Sequence, residues 1–344
     1  MMGSEQVDFS KVLLEKKTRI YEKILEYLPH HYPQEYYEIV RDYPERQGKY
    51  FRPVLVLLAN EMFGGRDEDA LLTAAAMQTS EDWILIHDDI EDHSYERRGR
   101  PCLHEIYGPE IALNAGDSLH IIMWKMLTDN IKVLGLERAT RILSCMSDIL
   151  LYTFEGQYLD MNCIAKNRLD LVEEDYYEMA DRKAGAYSVY GPLQLGAIAA
   201  SATEEEVCSI KEWGVPIGRA YNIYDDFLNV AGIERFYGKE IGGDVLEGKR
   251  TLILIHLLRN CTSAERKSIS RIYSKRREEK TEREISYVML LMKKYGSISY
   301  AHQKSLEFAD MARRAFDQKT SHIDNSFAKK AIRAAIDFVT TRNC

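Results

Sequence analysis

The sequence predicts an all-α protein, on three observations. Its 344 residues hold only 8 prolines and 20 glycines, and the hairpin dipeptides Asn-Gly and Asp-Gly are absent. Apolar residues recur mostly at three- and four-residue spacing, the period of a helix that turns one face to a core. With 45% hydrophobic, 29% charged and 10% aromatic residues, the chain can bury a substantial core. No short repeat and no low-complexity linker divides it, so one helical domain over 1–344 is expected. Within it, 1–45 would form an N-terminal helix and its connection, and 262–344 a C-terminal helical subdomain.

The elements follow in order. A first amphipathic helix reads from about Phe9 to Leu28, and Pro33 and Pro44 mark a polar, tyrosine-rich connection. "GKYFRPVLVLLANEMFGG" reads as a loop entering a buried helix. From Asp67, "DEDALLTAAAMQTSEDWILIHDDIED" is a long apolar helix that turns acidic at its C-terminal end. The helix dipole disfavours carboxylates there by a few tenths of a kcal/mol each, roughly, so something must offset them. "TEEEVCSIKEWGVPIGRAYNIYDDFLNV" repeats the design, with Thr203 and Glu206 as a capping box and Asp225 and Asp226 near the far end. A glycine-rich charged loop, "AGIERFYGKEIGGDVLEGKR", precedes the buried helix "TLILIHLL". The last third is charged and helical, and its "SKRREEKTERE" reads as a solvated turn or helix end.

Charge and composition exclude several classes. The net charge of −8 gives no electrostatic reason for nucleic acid or an anionic membrane as partner. Six cysteines, at 102, 145, 163, 208, 261 and 344, have neither CxxC pairing nor the density of a disulfide scaffold, so reduced thiols in a cytoplasmic protein are expected. The N-terminus lacks a signal-peptide apolar region, and no apolar run approaches the roughly 20 residues of a membrane span.

The chemistry gathers at the two acidic helix ends. Asp88 and Asp92, four residues apart, project from one helix face. Such carboxylates suit Mg²⁺, which takes one or two protein carboxylates and completes its octahedron with water and phosphate oxygens. By itself this DDxxD also describes a solvated acidic surface. The second group, Asp225 and Asp226 with Asn229, stands on another apolar helix. Cationic residues lie near both: Arg97 and Arg98 after the first, Lys239 and Lys249 after the second, and Lys49 and Arg52 upstream. Arginine forks and lysine point charges match phosphate, so both signs together suit a metal-bridged diphosphate beside a second one held by cations.

These residues resemble the trans-isoprenyl diphosphate synthases from about Gly48 to Thr251. "GKYFR" is similar to the family's GKxxR, "DDIEDHSYERRGRP" to its first aspartate-rich motif with RRG, and "EGQYLD", with Gln157 and Asp160, to its GQxxD. "RKAGAY" resembles its KT segment, "DDFLN" its second aspartate-rich motif, and "GKEIGGDVLEGKRT" the lysine loop behind it. The resemblance implies antiparallel helices around a deep apolar cavity, the isoprenoid synthase fold, and a homodimer. It implies two or three Mg²⁺ ions held by Asp88, Asp89, Asp92, Asp225 and Asp226 against an allylic diphosphate. Arg97, Lys183, Ala184, Asn222, Lys239 and Lys249 would contact that diphosphate, while Lys49, Arg52, Arg98 and position 81 would meet isopentenyl diphosphate. The product would be a short trans-prenyl diphosphate, geranylgeranyl first and farnesyl second, with Trp83, Ile84 and Ser80 lining the chain-length pocket.

Three positions depart from the pattern. Glu81 stands where the family commonly has His or Gln, Ala184 where Thr follows the lysine, and Asn222 where Gln precedes the second motif. A class I terpene cyclase would share the acidic helix but needs no isopentenyl site. A non-catalytic partner subunit would explain the departures, yet would more naturally have lost its aspartates. Trp83 can equally be a core aromatic, and His87 a wall residue, because the further histidines of a metal phosphohydrolase have no counterpart at a diagnostic spacing.

Overall fold

The computed structural model describes residues 7–232 and 241–342. Among these, all elements but one short hairpin are helical, as the periodicity predicts. No described helix is long and apolar enough to cross a membrane. The residues gather into two compact units, Met1–Ile149 with Ser188–Lys211 and Gln318–Ala335, and Leu150–Tyr187 with Glu212–Asp317 and Ile336–Cys344.

In the first unit, α1 (Phe9–Leu25) ends three residues before the expected Leu28. The supposed polar connection is largely a helix, α2 (Gln34–Arg46), with Pro44 tolerated near its end and Val40, Tyr43 and Pro44 buried. A narrow apolar face among polar residues, flanked by prolines, hides such a helix from a periodicity reading. Helix α3 (Phe51–Met62) is buried nearly throughout. The long α4 (Asp67–Glu91) follows, with acidic residues in its first turn.

Next comes the hairpin that the sequence reading misses. Strands β1 (Glu96–Arg97) and β2 (Arg100–Pro101) pair with Arg97 opposite Arg100. The two-residue turn has positive φ at both central positions, 54° at Arg98 and 73° at Gly99. That geometry normally selects Asn-Gly; here an arginine takes the strained position. After α5 (Leu103–Tyr107), α6 (Pro109–Leu134) packs along α4. Gly116 on α6 permits the approach, because a Cβ there would stand 2.4 Å from His87 Nε2. Helix α7 (Leu136–Ala165) begins in this unit. The unit also takes in the buried α9 (Gly191–Ala199), whose Gly196 lies against the Val56 carbonyl of α3.

The second unit holds the end of α7, then α8 (Glu173–Ala180), which continues into ten residues of π-helix over Asp181–Tyr190, the last three of them in the first unit. Most of α10 (Glu204–Ala231) belongs here, and its Thr203–Glu206 capping box forms as expected. Helices α11 (Gly243–Glu247), α12 (Leu252–Asn260), α13 (Ser263–Tyr273), α14 (Glu282–Lys294) and α15 (Ser297–Lys319) follow, and α16 (Phe327–Phe338), most of which belongs to the first unit, closes the order. The "SKRREEKTERE" stretch is not wholly solvated. Lys280 is buried, and its ammonium donates to the carbonyls of Val245 (3.0 Å) and Leu246 (2.5 Å) near the end of α11.

Candidate active site

The C-terminal end of α4 builds the candidate site of the first unit. Glu81, Asp88 and Asp92 recur at seven- and four-residue intervals, so a 3.6-residue turn sets them on one stripe. Asp88 is half-buried, with an oxygen 3.6 Å from Arg97 Nη2. Asp89 points the other way, into the core. It accepts from Tyr43 Oη at 2.5 Å and from Arg97 Nε at 2.9 and 3.1 Å, and it also meets Arg97 Nη2. With 1% of its surface exposed, Asp89 is engaged in anchoring Arg97, a different task from the metal ligation expected of it. Burial alone would lower the pKa of Arg97; the Asp89 carboxylate, with Asp88 behind it, outweighs that and raises it above the ordinary arginine range. The carboxylates that the helix dipole disfavours are thus offset by an arginine from the adjoining hairpin.

Arg98 turns back along α4. Its Nη1 donates to Asp82 Oδ1 and to the Tyr43 carbonyl, each at 2.8 Å, and its Nη2 lies 3.7 Å from Glu81 Oε1. These contacts offset the strained φ at Arg98. Arg52 meets the other Glu81 oxygen at 3.1 Å and donates to Ser188 Oγ at 2.8 Å. Gly48 lets the "GKYFR" segment lie against Arg98, where a Cβ would stand 2.7 Å from Nη2. Lys49, in the same segment, is exposed. Asp82 is fully buried, and burial pushes its carboxyl up to about 6 against the pull of Arg98. Lys17 on α1 feels the same cluster, its pKa lowered by burial and by Arg98. Residues that the sequence reading passed over thus set these arginines: Tyr43, Asp82, Ser188, and Arg46, which holds the hairpin through the carbonyls of Arg97 (3.0 Å) and Pro101 (2.8 Å). An acid such as Asp82 on an apolar helix face was the available signal, because a buried carboxylate needs a cation.

Upstream on α4, Trp83 and Ser80 are buried and Ile84 is half-buried. Ile84 precedes Asp88 by four residues and shares its face, whereas Trp83 packs toward α6, its ring centroid 4.5 Å from that of His120. His120 Nε2 accepts from Trp124 Nε1 at 2.8 Å.

The second unit assembles its own group. Asp160 on α7 accepts from the Lys183 ammonium at 2.9 Å. Lys183 and Ala184 stand in the π-helical segment, a form that often marks functional sites. Two glycine contacts hold that segment close. A Cβ on Gly156 would lie 2.3 Å from the Lys183 nitrogen, and one on Gly218 of α10 would lie 2.6 Å from Gly185 Cα. Gln157, next to Gly156, is half-buried.

Toward the end of α10, Asn222 Nδ2 donates to Tyr176 Oη, which donates to Asp226 Oδ2, both at 2.7 Å. Burial, together with the charges of Asp244 and Asp225, raises the Asp226 carboxyl well above its ordinary range. Asp225 is more open and meets Arg342 Nη2 at 3.3 Å. The Asn229 side-chain oxygen accepts from the Asp244 backbone at 3.0 Å, which ties α10 to α11. Lys249 Nζ lies 2.6 Å from Glu247 Oε2, and Glu247 is also paired with Arg277 at 3.0 Å. Tyr176, Asp244 and Arg342 are therefore participants that motif reading did not supply. Lys239 lies outside the described residues.

Among the described residues no group of three or more histidines, cysteines and acids is placed to hold a metal unaided. The donors present are carboxylate oxygens on helix ends with cations nearby. That set fits Mg²⁺ brought in with a diphosphate, because the ion then needs only one or two protein carboxylates.

A family model described as polyprenyl synthetase matches residues 33–291. The chain belongs to the polyprenyl synthetase family. This polyprenyl synthetase is 32% identical over 295 residues to a short chain isoprenyl diphosphate synthase of Methanothermobacter thermautotrophicus, covering 86% of each chain. It is 30% identical over 295 residues to a geranylgeranyl diphosphate synthase of Sulfolobus acidocaldarius, covering 86% of this chain and 87% of that one. Among solved structures, geranylgeranyl pyrophosphate synthetase from Pyrococcus horikoshii Ot3 superposes with a TM-score of 0.84 at 29% identity, over 96% of this chain and 98% of that one. The fold class and the enzyme family expected from the motifs are thereby shown.

Proposed function

We propose that this polyprenyl synthetase is a Mg²⁺-dependent head-to-tail prenyltransferase that adds isopentenyl diphosphate to an allylic diphosphate and releases geranylgeranyl diphosphate. One observation carries the reading. The end of α4 presents Asp88 and Asp92 on the same stripe as Glu81, with the Arg52–Arg98 pair beside it, so one element serves a metal-bound anion and a cation-bound one. A terpene cyclase would have no use for the second.

Asp88, Asp92 and Asp225 would hold two or three Mg²⁺ ions. When bound, Mg²⁺ supplies positive charge to the pyrophosphate that departs. Arg97, fixed by Asp89, and Lys183, fixed by Asp160, would each add positive charge to the leaving group. Lys249, and Lys239 beyond the described residues, would join them. Arg52, Arg98 and Lys49 would orient isopentenyl diphosphate. The allylic carbon–oxygen bond breaks and the isopentenyl double bond attacks the resulting cation. The released pyrophosphate accepts the proton lost from the new chain, so no protein base is required. Trp83, braced by His120, with Ile84 and Ser80, would limit the growing chain to four isoprene units.

The same reading makes the protein a cytoplasmic homodimer whose helices act as one catalytic domain. Exposed Ile111, Leu113 and Ile121 on α6 offer apolar surface for a second copy. The described cysteines are free thiols, as a reducing compartment leaves them. The test is Asp88→Ala. Elongation in Mg²⁺ should fall by about a thousandfold or more, while isopentenyl diphosphate still binds in EDTA. Full activity of the variant would refute the assignment.

A further inference from the structure

We propose that Glu81 is a resident counter-anion: its carboxylate occupies, on Arg52 and Arg98, the place that the diphosphate of isopentenyl diphosphate must take, and so sets the affinity of that subsite. The inference rests on the isopentenyl diphosphate subsite proposed above and assigns Glu81 a specific task within it.

Both guanidinium groups are held before any substrate arrives. Arg98 is fixed by the Tyr43 carbonyl and Asp82, and Arg52 by Ser188. Each then turns one terminal nitrogen to a separate oxygen of Glu81, at 3.1 Å from Arg52 and 3.7 Å from Arg98. The Arg98 pair is loose, beyond hydrogen-bond distance, whereas the Arg52 pair is close. Buried Arg98 Nη2 makes no hydrogen bond, and buried Glu81 Oε2 meets Arg52 as an ion pair without an aligned hydrogen bond. Two arginine forks converging on one imperfectly bound carboxylate form a receptor for a larger anion with more oxygens, and a diphosphate meets that description.

Charge decides the consequence. Asp82 already neutralises one arginine from inside the core, where its 2.8 Å hydrogen bond to Arg98 leaves it little freedom. Glu81 neutralises the other, so the four side chains sum to zero. An incoming diphosphate must displace Glu81 or lie beside it, and either course weakens binding. The allylic diphosphate is assigned to the aspartates, Arg97 and Lys183, so its affinity should be insensitive to residue 81.

The experiment is Glu81→Gln, which keeps the volume and removes the charge. Steady-state elongation should show KM for isopentenyl diphosphate falling about tenfold, with KM for the allylic diphosphate within twofold of wild type. Calorimetric titration of isopentenyl diphosphate alone in EDTA should show Kd falling by a similar factor. KM and Kd unchanged or raised, with the wild type active, would overturn the proposal. Wild-type protein that elongates no allylic diphosphate would instead overturn the underlying function. Should Glu81→Gln not fold, Glu81→Asp, whose shorter side chain withdraws from Arg52, should shift both constants in the same direction by a smaller factor, and their constancy or rise would equally overturn it.

Discussion

Replacing Asp89 and Asp88 separately by alanine distinguishes the two tasks that adjacent aspartates perform on α4. Asp89 is buried against Arg97 and Tyr43, so Asp89→Ala leaves a guanidinium without its counter-charge and a phenol without its acceptor. Removing one partner of a buried pair costs about 3–5 kcal/mol. Unfolding entropy near roughly 2.1 cal/mol/K per residue, over 344 residues, makes this a fall in Tm of about 4–7 °C. Asp88 is half-buried and 3.6 Å from Arg97, so its loss costs about 1 kcal/mol or less, near 1 °C. Calorimetry on both variants, with elongation rates on the same samples, gives the comparison. Asp88→Ala should be inactive and almost as stable as wild type, and Asp89→Ala should be clearly less stable. An Asp89→Ala variant with unchanged Tm, or one that loses less than Asp88→Ala, would refute this division.

Three further perturbations follow. Trp83→Leu should yield products at least one isoprene unit longer, read by chromatography of the dephosphorylated alcohols; an unchanged product with lowered Tm would leave Trp83 a core residue. Gly156→Ala places a methyl 2.3 Å from the Lys183 nitrogen, and overpacking of that kind costs about 1–3 kcal/mol. Elongation should fall with Tm, whereas an unaffected variant would mean that the π-helical segment can yield. Burial lowers Lys280 to about 8 from the lysine value of 10.5, so the folded state releases its proton first. Folding is therefore penalised below pH 8, and the penalty fades as pH rises toward 10.5. The Tm of wild type relative to Lys280→Met should accordingly increase between pH 7.5 and 10, and a flat or falling difference would contradict the shift.

What the sequence discloses depends on where each signal lies. Helices α4 and α10 are legible because long apolar runs begin at acidic or capping residues, and the functional aspartates are legible because carboxylates at a helix C-terminus demand a reason. Helix α2 is not, because its buried face is only Val40, Tyr43 and Pro44 among polar neighbours. The hairpin escapes because an arginine holds the positive-φ position normally given to Asn or Gly, and what makes this tolerable is Asp82, fifteen or more residues away in the chain. The site behaves likewise. Motifs point to Arg97 and Lys183, but that Asp89 and Asp160 hold them is a matter of side-chain direction. Lys280 lies in a run of charges whose composition says only solvent, and the two carbonyls it caps become visible only when α11 is folded beside it.

The account's central claim is the condensation itself. The protein should be incubated with Mg²⁺, isopentenyl diphosphate and dimethylallyl, geranyl or farnesyl diphosphate, with products sized after dephosphorylation and a parallel set lacking isopentenyl diphosphate. The prediction is a twenty-carbon alcohol from each primer, nothing elongated in EDTA, and no hydrocarbon from the allylic substrate alone. Failure to elongate any primer, or a cyclic hydrocarbon formed without isopentenyl diphosphate, would contradict it.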